Sequence, residues 1–251
     1  MVAPIISQAS GKRIFVIGDL HGCPNEPAIL LRHLEQEEGV NDEDLVVFLG
    51  DYIDRGPDSK GVIDLALDFK SRFPNTRFLK GNHEDMLLDF LGFGGNLGQA
   101  FLYNGGLETI QSYGISVFAP PNEMVSALPP DHFQFFRELE SVVDLGNFIC
   151  VHAGLNPTLA FDDQTDNDLF WIRDEFLNYP HNFNKTVIFG HTPHQEIFVH
   201  FPFKVGLDTG LVFGNKLSCL ELTTGKVMQI RRDQKELTFA RLDVSAIDFQ
   251  K

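Results

Sequence analysis

The sequence predicts an α/β fold with a largely parallel sheet. In the first third of the chain, apolar runs alternate with longer helix-like stretches. The apolar runs cover residues 13–18, 44–50 and 76–81, and the helix-like stretches cover residues 25–38 and 58–73. Short apolar runs of this kind are typical of buried strands, and the longer stretches carry apolar residues at helical spacing. The resulting order predicts βαβ units, whose strands pair in parallel.

Residues 91–141 break this alternation and predict a helical insertion that covers one edge of the sheet and shapes the groove beside it. Glycine-rich turns and two Pro-Pro pairs separate short amphipathic pieces in this region. We expect the aromatic residues of the insertion, including Phe101, Tyr103 and Phe118, to lie in a core rather than to contact a ligand.

Strand-like runs resume after the insertion. They cover residues 147–152, 186–191 and 203–208. Residues 217–232 predict a closing hairpin that turns at Thr224-Gly225. No stretch is long enough to act as a linker, so residues 1–251 are interpreted as a single domain.

The charge of the chain limits the partners that it can bind. Its 251 residues carry a formal net charge of −15, and 43% of them are hydrophobic, which is enough for a substantial core. We expect no nucleic-acid or membrane partner, because broad binding of either needs a positive surface. Any anion that the protein binds must be held by a local group of cations.

Cysteine usage and the N-terminus indicate a cytoplasmic protein. Cys23, Cys150 and Cys219 are odd in number and lack CxxC spacing, which argues against a disulfide framework and a zinc–thiolate site. Residues 1–13 lack the basic start and continuous apolar stretch of a signal peptide and are interpreted as a short loose leader. No stretch reaches the roughly 18 apolar residues of a membrane span.

Five apolar runs end in Asp, Asn or His at the point where a predicted strand ends. The five segments are GDLHG at 18–22, GDYIDRG at 50–56, GNHE at 81–84, VHAG at 151–154 and GHTP at 190–193. Ligands of α/β proteins bind beyond the carboxyl ends of the strands, so we expect these polar residues to meet in one place.

The residue types in these segments indicate a site for two metal ions. Asp19 and His21 lie two positions apart, so an extended backbone could direct both to one ion, which Asp51 could share. A second set of donors, which would also share Asp51, consists of Asn82, His152 and His191. Mixed carboxylate and imidazole ligands suit manganese, iron or zinc, and paired ions suit phosphoryl hydrolysis.

Each segment alone has a plainer interpretation. GDLHG at 18–22 could be a simple turn, and His152 could be a packed or capping residue at a strand end. Coincidence becomes the poorer explanation once five segments with compatible ligands share the same strand-end position. The other histidines lack such context and are expected to be structural or exposed: His33, His132, His181, His194 and His200.

In order and composition, the five segments resemble the motifs of the PPP-type metallophosphoesterases, within the calcineurin-like phosphoesterase family. That family includes Ser/Thr protein phosphatases and bacterial diadenosine tetraphosphatases. The resemblance spans residues 18–210 and implies a four-layer α/β/β/α sandwich, with two central mixed sheets and a dinuclear metal centre between their loops. Lys80 stands where arginine is common in the family, and GLDTG at 206–210 is closer to the bacterial members.

The resemblance also implies a role for each motif residue. Arg55 and Arg173 would hold the substrate phosphate. His83 would act as a general acid oriented by Asp54, and Asp51 would bridge two Mn²⁺ ions, with iron and zinc as alternatives. The other metal ligands would be Asp19 and His21 on the first ion, and Asn82, His152 and His191 on the second.

The implied function is that of a bacterial-type, metal-dependent Ser/Thr protein phosphatase that also accepts phosphotyrosine and small phosphomonoesters. A hydroxide that bridges the two ions would attack phosphorus directly. Two alternatives stay open: a symmetrical diadenosine tetraphosphate hydrolase with the same metal centre, and a non-catalytic phosphoprotein-binding scaffold. The sequence GNHE at 81–84, rather than GNHD, favours the phosphatase by resemblance.

Overall fold

The computed structural model describes residues 12–244 and contains two mixed β-sheets with helices on their outer faces. The expectation of a loose leader concerns residues 1–13, of which residues 1–11 lie outside the described part. Within residues 12–244, no helix is long and apolar enough to cross a membrane. The three cysteines are free and buried.

The strands are arranged in one sheet of six and one sheet of five. The spatial order of the first sheet is β11 (Leu237–Arg241), β10 (Lys226–Arg231), β9 (Lys216–Glu221), β1 (Ile14–Ile17), β2 (Leu45–Phe48) and β3 (Thr76–Phe78). The order of the second sheet is β4 (Val142–Asp144), β5 (Phe148–Val151), β6 (Thr186–Phe189), β8 (Lys204–Gly206) and β7 (Phe198–His200).

Helices connect the strands and cover the sheets. In chain order they are α1 (Asn25–Gln36), α2 (Ser59–Arg72), α3 (Asn82–Phe90), α4 (Gly106–Ser112), α5 (Pro121–Ala127), α6 (Pro130–Glu138), α7 (Asp166–Trp171) and α8 (Asp174–Asn178). The Asp58 side chain accepts the N–H of Gly61 and so caps the start of α2. GNHE at 81–84 therefore opens a helix, since α3 begins at Asn82 directly after Gly81.

Alternation of apolar side chains along the strands produces four layers. In β1, Phe15 packs among the residues of α1 and α2, whereas the next residue, Val16, packs against the second sheet. In β5, Cys150 faces the first sheet and Val151 packs against α7 and α8. The layers are therefore helix, sheet, sheet and helix, as the resemblance implied.

The parallel strands of both sheets position the loops that carry the motifs. β1, β2 and β3 pair in parallel, and so do β5, β6 and β8. β9 and β10 form the predicted hairpin, and with β11 they add antiparallel pairs that make the first sheet mixed rather than largely parallel. Parallel strands end at a common edge, where their following loops meet.

The segment between α3 and β4 is helical, but two of its aromatic residues are placed differently from the expectation. Two 3-10 turns precede α4, α5 and α6, and α4 and α6 pack against α2. Phe101 is buried, whereas Tyr103 and Phe118 are each 92% exposed. The expectation that all three lie in a core is wrong, because a single 3-10 turn and a loop before Pro120 leave two side chains uncovered.

Candidate metal and phosphate site

The loops that follow β1, β2 and β6 have unusual backbone conformations. In residues 12–244, eight non-glycine residues have positive φ, and five of these are predicted site residues: His21, Asp51, Asp54, Arg55 and His191. A positive φ costs about 1 kcal/mol or more for a residue with a side chain. Contacts between the loops must therefore stabilise these conformations.

Asp19 and His21 do not lie on an extended segment, which corrects the expectation drawn from their spacing. The φ of His21 is 42°, so the chain turns at this residue. The N–H groups of Leu20 and His21 donate to the carbonyl of Asp51 at 3.1 and 2.8 Å. The loop after β1 is thereby held against the loop after β2.

Glu84 fixes the loop after β2 against the start of α3. Its buried carboxylate accepts the N–H groups of Asp51 and Gly81, both at 3.0 Å. It also accepts those of Tyr52 and Ile53, at 2.8 and 3.2 Å. The Glu84 carboxylate thus satisfies four buried backbone N–H groups that would otherwise lack hydrogen bonds.

Two groups of potential ligand atoms share Asp51. His21, Asp51 and His83 form one group, and Asp51, His152 and His191 form the other, with all atoms of a group within 4.8 Å of one another. Asp51 Oδ2 lies 3.4 Å from His21 Nε2, and Asp51 Oδ1 lies 3.4 Å from His152 Nε2. The two carboxylate oxygens therefore face different groups, as a shared ligand requires.

Backbone carbonyls determine which ring nitrogen of two histidines can bind a metal. His21 Nδ1 lies 2.9 Å from the carbonyl oxygen of Ile53, and His152 Nδ1 lies 2.8 Å from that of Leu49. A carbonyl oxygen only accepts hydrogen bonds, so Nδ1 carries a proton in each ring. Nε2 is then the atom available to a metal, and the carbonyl orients the ring.

Asn82 and Asp19 complete the set of predicted ligands. Asn82 Oδ1 lies 3.1 Å from His152 Nε2 and 2.9 Å from His191 Nδ1. Asp19 Oδ2 accepts the N–H of His191 at 2.9 Å, while its Oδ1 is buried without a hydrogen-bond partner in the described structure. A cation at this point would give Asp19 Oδ1 the partner that it lacks.

The charges of the site also fit a cation. Burial, followed by the nearby carboxylate of Asp208, raises the pKa of Asp19 well above its ordinary value. Burial alone would lower the pKa of His152, but the Asp51 carboxylate raises it to about 9. A divalent ion at this position would compete with a proton for His152 Nε2. Carboxylate, imidazole and amide donors together suit manganese, iron or zinc.

The two predicted phosphate ligands each lie beside one group of metal-binding atoms. Arg55 Nη1 lies 2.8 Å from His21 Nε2, and Arg173 Nε donates to His191 Nε2 at 3.0 Å. Two guanidinium groups therefore flank the buried carboxylates. This is a local group of cations in a chain of net charge −15.

His83 is held by a chain of buried side chains. Its Nδ1 lies 2.6 Å from Asp54 Oδ2, and Asp54 Oδ1 accepts the hydroxyl of Thr109 at 2.6 Å. The same hydroxyl accepts the N–H of Asp54 at 2.9 Å and lies 2.9 Å from Ser59 Oγ. His83 Nε2 is buried and has no hydrogen-bond partner in residues 12–244. Burial lowers the pKa of His83 to about 4.

Sequence reasoning missed three residues that shape the site. Glu84 and Asp208 lie in the quoted segments GNHE and GLDTG, which was the only signal for them. Thr109 carried no signal, because it lies in α4 and is 55 positions from Asp54. The histidines expected to be structural include His132, whose ring lies within 3.0 Å of Tyr113 Oη and Asp64 Oδ1.

Asp51→Asn should lose more metal than Asn82→Ala. Asp51 is a candidate ligand of both groups, whereas Asn82 contacts only the second. Loss of an outer-shell partner already lowers metal affinity about 10–100-fold, so loss of a shared ligand should cost at least about 100-fold. Elemental analysis after dialysis against Mn²⁺ measures the difference.

A matched control is Asp208→Asn, which removes a buried negative charge at the same site without removing a proposed ligand. Its metal content should stay closer to that of the wild type. Two full metal equivalents bound to Asp51→Asn would show that Asp51 is not a shared ligand.

Comparisons with known proteins agree with this geometry. A family model described as calcineurin-like phosphoesterase matches residues 12–222. Serine/threonine-protein phosphatase 1 of Salmonella typhimurium is 28% identical over 226 residues, which cover 85% of this chain and 93% of that protein. The asymmetrical bis(5'-nucleosyl)-tetraphosphatase PrpE of Geobacillus thermodenitrificans is 28% identical over 252 residues, again covering 85% of this chain and 93% of that protein.

The fold also matches solved structures. A cold-active protein tyrosine phosphatase superposes with a TM-score of 0.63 at 17% identity, covering 97% of this chain and 82% of that chain. At such low identity this similarity concerns the fold alone. Because the family model covers most of the chain, and because the buried carboxylates and histidines lie where a metal centre needs them, this chain belongs to the calcineurin-like phosphoesterase family of metal-dependent phosphoesterases.

Proposed function

We propose that this protein is a cytoplasmic, metal-dependent Ser/Thr phosphoprotein phosphatase that also hydrolyses phosphotyrosine and small phosphomonoesters. The observation that carries the proposal is the position of Arg55 and Arg173, each within hydrogen-bond distance of a histidine from a different ligand group. Phosphate oxygens could replace those histidines as acceptors. The planar guanidinium groups would then hold a phosphate from two sides through paired N–H donors.

The metal supplies a separate part of the chemistry. Two divalent ions, most simply manganese, would lower the pKa of water and neutralise phosphate charge when bound. The residues proposed to hold them are Asp19, His21, Asp51, Asn82, His152 and His191.

His83 is proposed to supply the proton that the leaving group needs. Its Nε2 has no hydrogen-bond partner within the described residues, and its ring centroid lies 4.8 Å from that of His21. Although burial lowers the pKa of His83, a phosphate dianion beside Nε2 would raise it, because a negative charge stabilises the protonated ring. Asp54 would hold Nδ1 and stabilise the imidazolium until the proton passes to the departing serine or threonine oxygen.

A second candidate is a dinucleoside tetraphosphate hydrolase. PrpE of Geobacillus thermodenitrificans, named as an asymmetrical tetraphosphatase, is as similar to this chain as the Salmonella typhimurium phosphatase. The Glu84 that favoured the phosphatase is buried and bonds to backbone N–H groups, so it does not touch a substrate. The alternative drawn from the sequence is a symmetrical hydrolase only. This candidate includes both symmetrical and asymmetrical cleavage of the tetraphosphate.

Turnover of a matched panel by manganese-loaded protein tests the proposal. We expect a higher kcat/KM for a phosphoserine peptide than for diadenosine tetraphosphate. A preference for the dinucleotide would contradict the proposal, and its products would show the mode: two ADP for symmetrical cleavage, or ATP and AMP for asymmetrical cleavage. No turnover of any substrate by fully metal-loaded protein would favour the phosphoprotein-binding scaffold.

His83→Asn should slow the reaction according to the leaving group. General-acid catalysis contributes about 10²–10⁴-fold when the departing oxygen is strongly basic, as in serine, and little when it is an acidic phenol. The rate of the variant should fall by that factor on a phosphoserine peptide and by far less on p-nitrophenyl phosphate. Single-turnover rates make the comparison valid by isolating the chemical step. Metal content serves as the control, and equal losses on both substrates would rule out His83 as the acid.

Thr109→Val should show the same leaving-group bias more weakly. Valine keeps the shape but removes the hydroxyl that bonds Asp54, so the Asp54–His83 pair loses part of its support. A hydrogen bond to a charged group is worth about 1.5–3 kcal/mol, so we expect a loss of about tenfold on the phosphoserine peptide. Thr109→Ser keeps the hydroxyl and should retain most activity. A serine variant as impaired as the valine variant would contradict this positioning role.

A further inference from the structure

An exposed phenylalanine lies beside the arginine that is proposed to hold phosphate. Phe213 is 63% exposed, and its ring centroid lies 5.5 Å from Cζ of Arg55. Arg55 Nη1 also lies 2.8 Å from His21 Nε2. The guanidinium group is therefore close both to a proposed metal ligand and to the aromatic ring. A group attached to a phosphate on Arg55 can reach that ring.

Buried and hydrogen-bonded neighbours hold the backbone that carries Phe213. Phe213 ends a 3-10 turn, Leu211–Phe213, that is bounded by Gly210 and Gly214 at φ of 71° and 88°. Leu211 is buried and anchors the turn. Asp208 Oδ1 accepts the N–H of Gly210 at 2.9 Å, which fixes the entry to the turn. Because the backbone of this turn is ordered, a ligand that contacts Phe213 does not have to order the turn itself.

Folding alone does not explain a phenylalanine at this position. The hydrophobic effect rewards apolar area that is removed from water, and most of this side chain stays in water. Its ring lies against the Arg55 cation of the candidate phosphate site. An aromatic face open to solvent beside that cation is suited to a second aromatic ring.

We propose that Phe213 stacks on the ring of an aryl phosphate and thereby makes phosphotyrosine side chains substrates of this site. The inference rests on the proposed phosphatase function. In an aryl phosphate a single oxygen joins the ring to phosphorus, so a phosphate on Arg55 can bring the ring within the roughly 4.5–7 Å range of aromatic pairs with Phe213. A serine side chain offers no ring, and a nucleobase is separated from its phosphate by the ribose.

Binding of two small phosphonates tests the stacking without turnover. Phenylphosphonate and methylphosphonate differ only in the ring, and isothermal titration of manganese-loaded protein gives both affinities. Phe213→Leu should lower the affinity for phenylphosphonate about two- to tenfold, which corresponds to the free energy of one aromatic pair. The affinity for methylphosphonate should not change. Phe213→Trp should keep the preference for the phenyl compound.

Phe239→Leu is a matched control. Phe239 is 55% exposed and also has a cation over its ring, with Lys226 Nζ at 5.3 Å from the centroid. It lies on β11, which β10 and β9 separate from β1. This variant should bind both phosphonates as the wild type does.

Equal loss of affinity for both phosphonates in Phe213→Leu would overturn the inference, because the ring would then act only by positioning Arg55.

A turnover series separates this inference from the proposed function. Phe213→Leu should lower kcat/KM for a phosphotyrosine peptide and not for a phosphoserine peptide of the same sequence. A loss confined to diadenosine tetraphosphate would overturn the inference in favour of a nucleobase.

Two mixed results distinguish the two proposals. If the wild type hydrolyses no phosphopeptide, yet its preference for phenylphosphonate disappears in Phe213→Leu, the proposed function is wrong and the aromatic contact stands. If the wild type hydrolyses the phosphoserine peptide, yet Phe213→Leu changes neither phosphonate binding nor phosphotyrosine turnover, the function stands and the aromatic contact is wrong.

Discussion

The carboxylate of Glu84 is the contact on which the arrangement of the site depends. It accepts four backbone N–H groups, three from the loop after β2 and one from the start of α3. Each of these buried donors would cost about 1–3 kcal/mol if it were left unsatisfied. Glu84 thus compensates for the positive φ of Asp51 and holds that residue between the two histidine groups. The carboxylate that a metal pair would share is therefore positioned by hydrogen bonds of the protein itself.

The site also requires both sheets. The ring of His152, after β5, bonds to the carbonyl of Leu49, after β2, across 103 positions of sequence. Asp19, after β1, accepts the N–H of His191, after β6, across 172 positions. Both hydrogen bonds join the two sheets at the edge where the carboxyl ends of their parallel strands lie. The second ligand group, which contains His152 and His191, therefore forms only when the layer of apolar side chains between the sheets has packed, which couples metal binding to the whole fold.

The sequence predicts the fold class and the parallel strands because each signal is local. An apolar run such as that of β2, followed directly by Gly50 and Asp51, carries its strand and its polar ligand in a few adjacent positions. The edge strands β4 and β7 have three residues each, which is too short for a periodic pattern to stand out. Thr109 could not be found in this way either, because its role depends on a contact with Asp54 across 55 positions. The turn at His21 shows the same limit, since spacing suggests an extended backbone and only the contact with Asp51 reveals the turn.

Differences in substrate among related chains must arise from exposed residues. The proposed metal ligands, His83 and Asp54 are buried, and their chemistry suits phosphate esters and anhydrides alike. The residues free to contact the rest of a substrate lie elsewhere, on the turn that carries Phe213 and on the helical segment that carries Tyr103. That segment is hydrogen-bonded to the loop that carries Arg55, since the carbonyl of Gly105 accepts the N–H of Arg55 at 3.2 Å. Changes in such exposed segments can alter the substrate while the buried motifs stay the same. Variation of this kind would be compatible with a protein phosphatase and a tetraphosphatase that are each 28% identical to this chain.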